Sequence, residues 1–451
     1  MIDISVIIPT YNRELLLEKT LNSLSQQEAR GIDYEVIVSD DGSEDGTINV
    51  VNLYKKRINI KYVYNKHEGY RVGYVRNRGV EIAEGRTIIF VDSGMLLDKK
   101  FIRYHYNAHL EKNVAVIGSV YGLPATLSDT VFSEYIGNED LDKVFQLVCD
   151  DKKYDDLREK CLSYYNNSME NMIAPYSFFW TGNVSVDKNI FINVGGFDEN
   201  ITGWGMEDIE LGYRLFRLGV RFVFVQEAKG IHLPHDITEQ PNNSWTGERD
   251  FENKLYFYTK YRNLDAEIYL SCIDCNYNLL LTRLFEGSKS RIDFTKYGVA
   301  EGMREYISND TVIMGVFNGG IVPSDCTPTL VEYDGIFYDE LHRLFGNKME
   351  IEHFVGIHTE FYNKQFSICL ILDYCWLLDE VSIRHLIKES LRISERVLLF
   401  YRFKDDFSNI MLEINENQLL YIMSYLKLNK LDFNIINQFY NGCTLSFVAY
   451  S

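Results

Sequence analysis

The sequence predicts an α/β protein with a mainly parallel sheet in its first half and a second, separate α/β unit behind it. Three observations carry that prediction. Short apolar runs near the front of the chain each stop at a polar turn, residues at helical spacing lie between them, and the alternation resumes in new residues beyond position 301. Alternating strands and helices build parallel sheets whose ligands sit beyond the carboxyl ends of the strands.

The elements follow in order. Ser5-Val6-Ile7-Ile8 is the first apolar run, and Pro9-Thr10-Tyr11-Asn12-Arg13 ends it. Leu17, Leu21 and Leu24 then share one helix face. Tyr34 to Ser39 repeats the strand and Asp40-Asp41-Gly42-Ser43 closes it; Thr87 to Val91 is the third run and stops at Asp92-Ser93-Gly94. The three turns converge on one crevice. Ser128 to Tyr165, rich in Asp, Glu, Lys and Tyr, reads as helices, and Phe178 and Phe179 read as core. Gly203-Trp204-Gly205-Met206-Glu207-Asp208 opens a further helix. Its glycines allow unusual backbone angles, Trp204 offers a flat apolar face for a sugar ring, and two carboxylates occupy the first turn. Acidic residues there also complement the helix dipole, whatever else they do.

A boundary is expected within Thr238 to Gly247, where Pro241-Asn242-Asn243-Ser244 breaks the pattern. Phe251 to Glu286 reads as helical. Strands follow at Thr311 to Val316, Leu330 to Tyr333, Phe366 to Leu372 and Val397 to Tyr401, with helices at Tyr338 to Phe345 and Glu380 to Ser394. The predicted organisation is therefore a first domain over residues 1–240, a helical linker over 241–300 and a second α/β domain over 301–451.

Composition narrows the function. Lys and Arg number 46 against 65 Asp and Glu, a formal charge of -19, which disfavours nucleic acid as a partner. Against that background Arg71, Arg76 and Arg78 cluster between Gly69 and Gly79, a local positive site suited to a small anion such as a diphosphate. No apolar run is long enough to span a bilayer; the best, Ile368 to Leu378, is interrupted by Asp373. The first strand begins too early to leave room for a signal segment, so a cytoplasmic protein is expected. The eight cysteines are scattered, and Cys272 and Cys275 lack a second pair to complete a zinc site, so reduced thiols are expected.

The ordered motifs PTYNR, DDGSEDGT, GYRVGYVRNRG, FVDSG and GWGMEDIELGYRL resemble those of family 2 glycosyltransferases of the GT-A fold, with a galactosyltransferase-type motif at the end of that domain. Five motifs in order are specific where any one is weak. The resemblance implies an inverting transferase that moves a sugar from a nucleotide-diphosphate donor, a UDP-sugar, to a glycan, lipid-linked or peptide acceptor. It places Thr10 and Asn12 at the nucleotide, Asp41 at the uracil or its ribose, Arg76 with Asn77 near the nucleotide, and Asp92 at the metal and nucleotide. Trp204 joins the donor sugar. Asp208 matches the general base, with Glu207 beside it as an acceptor-binding or supporting carboxylate. His232 and His235 fall where related enzymes carry a metal-binding or diphosphate-contacting histidine.

One departure matters. Gly94 stands where the family carries a second, metal-binding aspartate. Three readings stay open: Mn or Mg held by Asp92 and a histidine, a diphosphate met mainly by cationic side chains, or an inactive module that binds sugar nucleotides. Metal-assisted transfer ranks first.

The second unit faintly resembles a class I methyltransferase, through Gly315-Val316-Phe317-Asn318-Gly319-Gly320, Glu332 or Asp334, and Ile371-Leu372-Asp373-Tyr374. The tight glycine turn that admits the cofactor is not reproduced. S-adenosylmethionine is therefore not expected, although a bifunctional glycosyltransferase and methyltransferase stays as an alternative. A degenerate Rossmann-like domain that recognises acceptor or supports a homodimer is the preferred reading.

Overall fold

Strand β1 (Ile4–Thr10) is buried along its whole length, as befits a run flanked by strands on both sides and covered on both faces. It lies parallel to β2 (Tyr34–Asp40) and β4 (Thr87–Phe90), and β2 lies parallel to β3 (Ile60–Tyr64). The structure is a computed structural model that describes residues 2–138, 140–235, 248–272, 274–287, 303–372, 374–402, 409–414, 419–428 and 434–438. The chain divides into two compact units, Met1–Phe257 and Tyr258–Ser451. The predicted boundary at Thr238 to Gly247, together with Asp373, Cys443 and the side chain of Cys275, lies outside the described residues.

The first unit carries an eight-stranded sheet. Its remaining strands are β5 (Met95–Leu97), β6 (Val114–Tyr121), β7 (Val184–Asp187) and β8 (Arg221–His232), in the order β3-β2-β1-β4-β7-β6-β8-β5. Leu17, Leu21 and Leu24 from the helix Glu14–Leu24 pack on Ile4, Val6, Ile8, Val36 and Val38, so the predicted helix face is the buried one. Phe178 and Phe179 are fully buried. The 128 to 165 stretch forms helices Thr130–Ile136, Leu141–Asp150 and Glu159–Tyr164. The first unit runs past residue 240 because Asn253, in the helix Glu248–Tyr261, donates to the carbonyls of Thr202, Trp204 and Gly205.

The second unit carries a seven-stranded sheet of β9 (Thr311–Met314), β10 (Thr329–Val331), β11 (Ile351–Glu352), β12 (Phe366–Ile371), β13 (Ser394–Arg402), β14 (Asn409–Ile414) and β15 (Asn434–Gln438). The order is β11-β10-β9-β12-β13-β14-β15, parallel from β11 to β13 and antiparallel beyond. The strand order reverses between β9 and β12, the switch point at which doubly wound sheets open a crevice. Among the described residues no helix is long and apolar enough to cross a membrane.

Candidate active site

A cleft of about 890 Å³ opens beyond the carboxyl ends of β1, β2 and β4. Thr10, Asn12, Asp41, Arg76, Asp92, Trp204, His232 and His235 all line it. A second hollow of about 640 Å³, in the second unit, is walled largely by Phe285, Ile336, Phe337 and Tyr338. The cleft of the first unit is the candidate site, because polar groups converge on it.

Arg76 is the floor of that cleft. Its guanidinium donates from Nη2 to Asp92 Oδ1 at 2.8 Å and from Nη1 to Glu207 Oε1 at 2.9 Å, joining residues 131 positions apart. Its side chain is only 3% exposed. Burial works against the charge of Arg76, but Asp92 and Glu207 outweigh it and raise the pKa above the usual arginine value. Burial likewise opposes the charge of Asp92, and Arg76, with help from His232 and Arg13, holds its carboxyl below the usual range. Glu207 is therefore a fixed, paired carboxylate. Arg76 is committed to the protein on both sides. Arg78 faces away from the cleft and pairs with Glu81 and Glu199, so the three arginines of the 69 to 79 stretch do not act as one anion site.

The other walls keep atoms uncommitted. Thr10 Oγ1 and Asp41 Oδ1 are buried without a hydrogen-bond partner among the described residues. Asn12, with a left-handed φ of 48°, is instead used as a latch: its amide donates to Ser43 Oγ and its Oδ1 accepts from the Glu44 amide, tying the first turn to the second. Arg13 lines the cleft and its guanidinium makes no hydrogen bond or ion pair among the described residues, while its charge acts on Asp92 and His232. Arg71 lines it too, held by Glu68 and the carbonyl of Lys66.

Asp208 stands apart from the cleft wall, half-buried at the start of the helix Glu207–Arg217. Its Oδ2 accepts a long bond of 3.4 Å from the Thr181 amide. The next residue, Gly182, faces Asp92, since a Cβ there would lie 3.7 Å from Asp92 Oδ2. The Thr181-Gly182 turn thus runs between the two carboxylates. The approach to Asp208 is left-handed at Gly203, Gly205 and Met206, with φ of 78°, 92° and 76°. The non-glycine Met206 is a strained position directly before the two carboxylates.

His232 reaches Asp92 through strand pairing. β8 runs antiparallel to β5 with His232 opposite Met95, and Leu233 donates to the Gly94 carbonyl. Burial, then His235, pushes the His232 imidazole down to about 4, so it is a neutral nitrogen donor at neutral pH. The rings of His232 and His235 lie 5.3 Å apart.

The family comparisons fit this geometry. The Glycosyl transferase family 2 profile matches residues 5–128, and the one described as the N-terminal domain of galactosyltransferase matches residues 165–236. The glycosyltransferase YfnE of Bacillus subtilis, itself uncharacterized, is 31% identical over 287 residues, 58% of this chain and 71% of its own. The chain belongs to glycosyltransferase family 2.

Validoxylamine A glucosyltransferase of Streptomyces hygroscopicus subsp. limoneus is 38% identical to this family 2 glycosyltransferase over 243 residues, 53% of this chain. The chain spans about half of that relative, 54% of its length. A crystal structure of Staphylococcus aureus TarS with UDP-GlcNAc shows a slight likeness, with 18% identity and a TM-score of 0.43 over 68% of this chain and 80% of that one.

Within this family 2 glycosyltransferase the donor set for a metal is partial. Among the described residues no three His, Cys, Asp or Glu side chains are close enough together to hold one. Gly94 has φ of 101°, a backbone that an aspartate adopts only under strain, and a Cβ there would meet Leu16 at 3.4 Å. Asp92 Oδ2, which takes no hydrogen bond among the described residues, and the neutral His232 remain. Those two fit an ion that binds together with a substrate diphosphate, as Mg commonly does.

S-adenosylmethionine does not fit the second unit. Glu332 is fully buried, with Oε2 taken by the Phe317 amide at 2.7 Å and Oε1 by the Asp334 amide at 2.9 Å. At the switch point the buried rings of Tyr333 and Tyr374 lie 5.5 Å apart, and the Tyr374 hydroxyl donates to the Val355 carbonyl.

Sequence reasoning passed over Arg13, Tyr11 and His67 as site residues. Arg13 and Tyr11 stood inside a motif that was read for its neighbours. His67 carried no motif at all, because it comes to the cleft by strand pairing.

Proposed function

We propose that this protein transfers a sugar from a UDP-sugar to a hydroxyl of a glycan, lipid-linked or peptide acceptor, with inversion at the anomeric carbon. The observation that carries this reading is the Arg76 bridge, which ties Asp92 to the start of the Asp208 helix at the floor of a cleft with uncommitted acceptors at Asp41 and Thr10. Asp41 Oδ1 and Thr10 receive the base and ribose. Arg13 and Arg71 meet the diphosphate, whose negative charge grows as the anomeric C–O bond stretches. Trp204 lies under the donor sugar. Asp92 and His232 would hold a Mg or Mn ion, which supplies Lewis-acid stabilisation of the leaving diphosphate.

Asp208 is the base. It takes the acceptor hydroxyl proton while the acceptor oxygen attacks the anomeric carbon from the face opposite the diphosphate, and UDP leaves with the bonding electrons. A single displacement needs no second nucleophilic carboxylate. That suits a Glu207 already committed to Arg76.

The test is a panel of UDP-, GDP- and TDP-sugars with and without chelator, read by mass spectrometry for released nucleotide and product. UDP-glucose is the first donor to try, given the glucosyltransferase relative. UDP release that grows with acceptor and falls with chelator is the expected result; release from another nucleotide class alone would reassign the donor. The second reading, an inactive module that binds sugar nucleotides, draws on Gly94 and on the missing third metal donor. Tight UDP binding with neither hydrolysis nor transfer across the panel would select it.

A further inference from the structure

We infer that His67 is a positioning residue for nucleobase selection, acting by holding the Asp41 carboxylate with one oxygen presented to the cleft. The inference rests on the reading of that cleft as a nucleotide site. His67 Nδ1 lies 2.9 Å from Asp41 Oδ2, the geometry of an imidazole N–H donating to a carboxylate. The His67 ring stacks on Tyr11, with centroids 4.1 Å apart and planes 9° from parallel. Asp41 Oδ1, the other oxygen, is buried in the cleft wall with no partner.

The backbone is built for this contact. The Asn65 amide donates to the Asp40 carbonyl at 2.8 Å, and Asn65 Nδ2 donates to the same oxygen and to Ser39 Oγ, which binds the end of β3 to the end of β2. Gly42, with φ of 86°, lets the two segments meet: a Cβ there would fall 2.8 Å from the His67 amide nitrogen and 3.0 Å from His67 Cβ. Any other residue at 42 would push His67 away from Asp41.

The consequence is a choice among bases. An ionised carboxylate only accepts, so Asp41 Oδ1 suits a ring N–H, which uracil carries at N3. Cytosine presents a bare nitrogen at that position, acceptor against acceptor. A site built to hydrogen-bond one group rejects the analogue lacking it, because its own buried atom is left unpaired. Without the His67 N–H, Asp41 is free to turn or to take up a proton and donate, and the discrimination is lost.

The experiment is calorimetric titration of the full-length protein with UDP and with CDP, on wild type, His67→Ala and His67→Asn, with thermal melts as a check on folding. His67 is about a third exposed at the cleft mouth, so both variants should fold. Wild type should prefer UDP. His67→Ala should lose about tenfold or more in UDP affinity with little change for CDP, the size of one hydrogen bond to a charged group. His67→Asn keeps an N–H donor and should recover most of the preference, which a merely structural role would not do. If wild type prefers UDP and His67→Ala keeps that preference, or binds UDP more tightly, this inference alone falls. If wild type binds UDP no better than CDP, the nucleotide reading of the cleft falls and this inference with it.

Discussion

The two sheets end in crevices of opposite character. In the first unit, the carboxyl edge of β1, β2 and β4 leaves Thr10 Oγ1, Asp41 Oδ1 and the Arg13 guanidinium without partners among the described residues. In the second unit, both oxygens of Glu332 take backbone amides, and Glu267 accepts from the amides of Val355, Gly356, Ile357 and His358. A buried polar group without a partner costs about 1–3 kcal/mol. The first unit carries that cost where a ligand would relieve it. In the second, the described carboxylates Glu332 and Glu267 leave no such gap. Strand order alone does not distinguish the two; the state of the carboxylates does.

The comparison is tested most severely at Asp208. With Asp208 as the proposed base, which acts on the acceptor, Asp208→Asn should lower the transfer rate by about 10²–10⁴-fold while UDP affinity is held. Retained turnover in a UDP-release assay would leave the open crevice without its base. Arg76→Met comes next. It leaves Asp92 and Glu207 facing each other without their cation and should reduce the unfolding free energy by about 3–5 kcal/mol in urea titration, partly restored by Glu207→Leu in the same chain.

Acid should weaken the first unit through a buried pair outside the cleft. His105 and His109 both bond to Ser185 Oγ, and burial pushes their pKa values from 6.5 down to about 3 and about 4. An unfolded imidazole takes its proton near 6.5 and the folded one refuses it. Stability is therefore intact above that pH and is lost progressively as pH falls toward the folded values, by about 2 kcal/mol per histidine at pH 5. His105→Asn should flatten that limb of the curve of melting temperature against pH.

Two smaller effects sharpen the contrast. Glu332→Gln should destabilise the second unit by about 1–3 kcal/mol in denaturant titration without altering UDP affinity. Thr10→Val should do the reverse, weakening UDP by about 0.5–1.5 kcal/mol in calorimetry at no loss of stability, because no protein contact is removed. A Glu332→Gln protein that kept its stability and bound S-adenosylmethionine would abolish the distinction between the crevices.

Much of this was legible in the chain. The strands at 5–8, 34–39, 87–91, 366–372 and 397–401 stand out because their runs are mostly apolar, and most of their described side chains are buried. The strands that escaped notice have other reasons. β3 reads Ile-Lys-Tyr-Val-Tyr among lysines and is half-exposed at the sheet edge; β5 has three residues; β8 is long and mixed, with exposed positions along its length. At the site, Asp92, Asp41 and His232 are marked by motifs, whereas Arg13 and Tyr11 are hidden among motif neighbours and His67, just after β3, carries no motif.

The order of the turns after β1, β2 and β4, the helix that follows Gly205 and the family they point to were decided by the sequence, because apolar runs and glycine-marked turns are local signals. Which of those polar groups remain available was decided only by the tertiary structure. Arg76 looked like a phosphate ligand until Glu207, 131 positions away, was found on its second nitrogen, and Glu332 looked like a cofactor ligand until two backbone amides were found on its oxygens. The physical reason is that a carboxylate accepts and a guanidinium donates through groups fixed in direction, and their partners come from distant segments that no local pattern names.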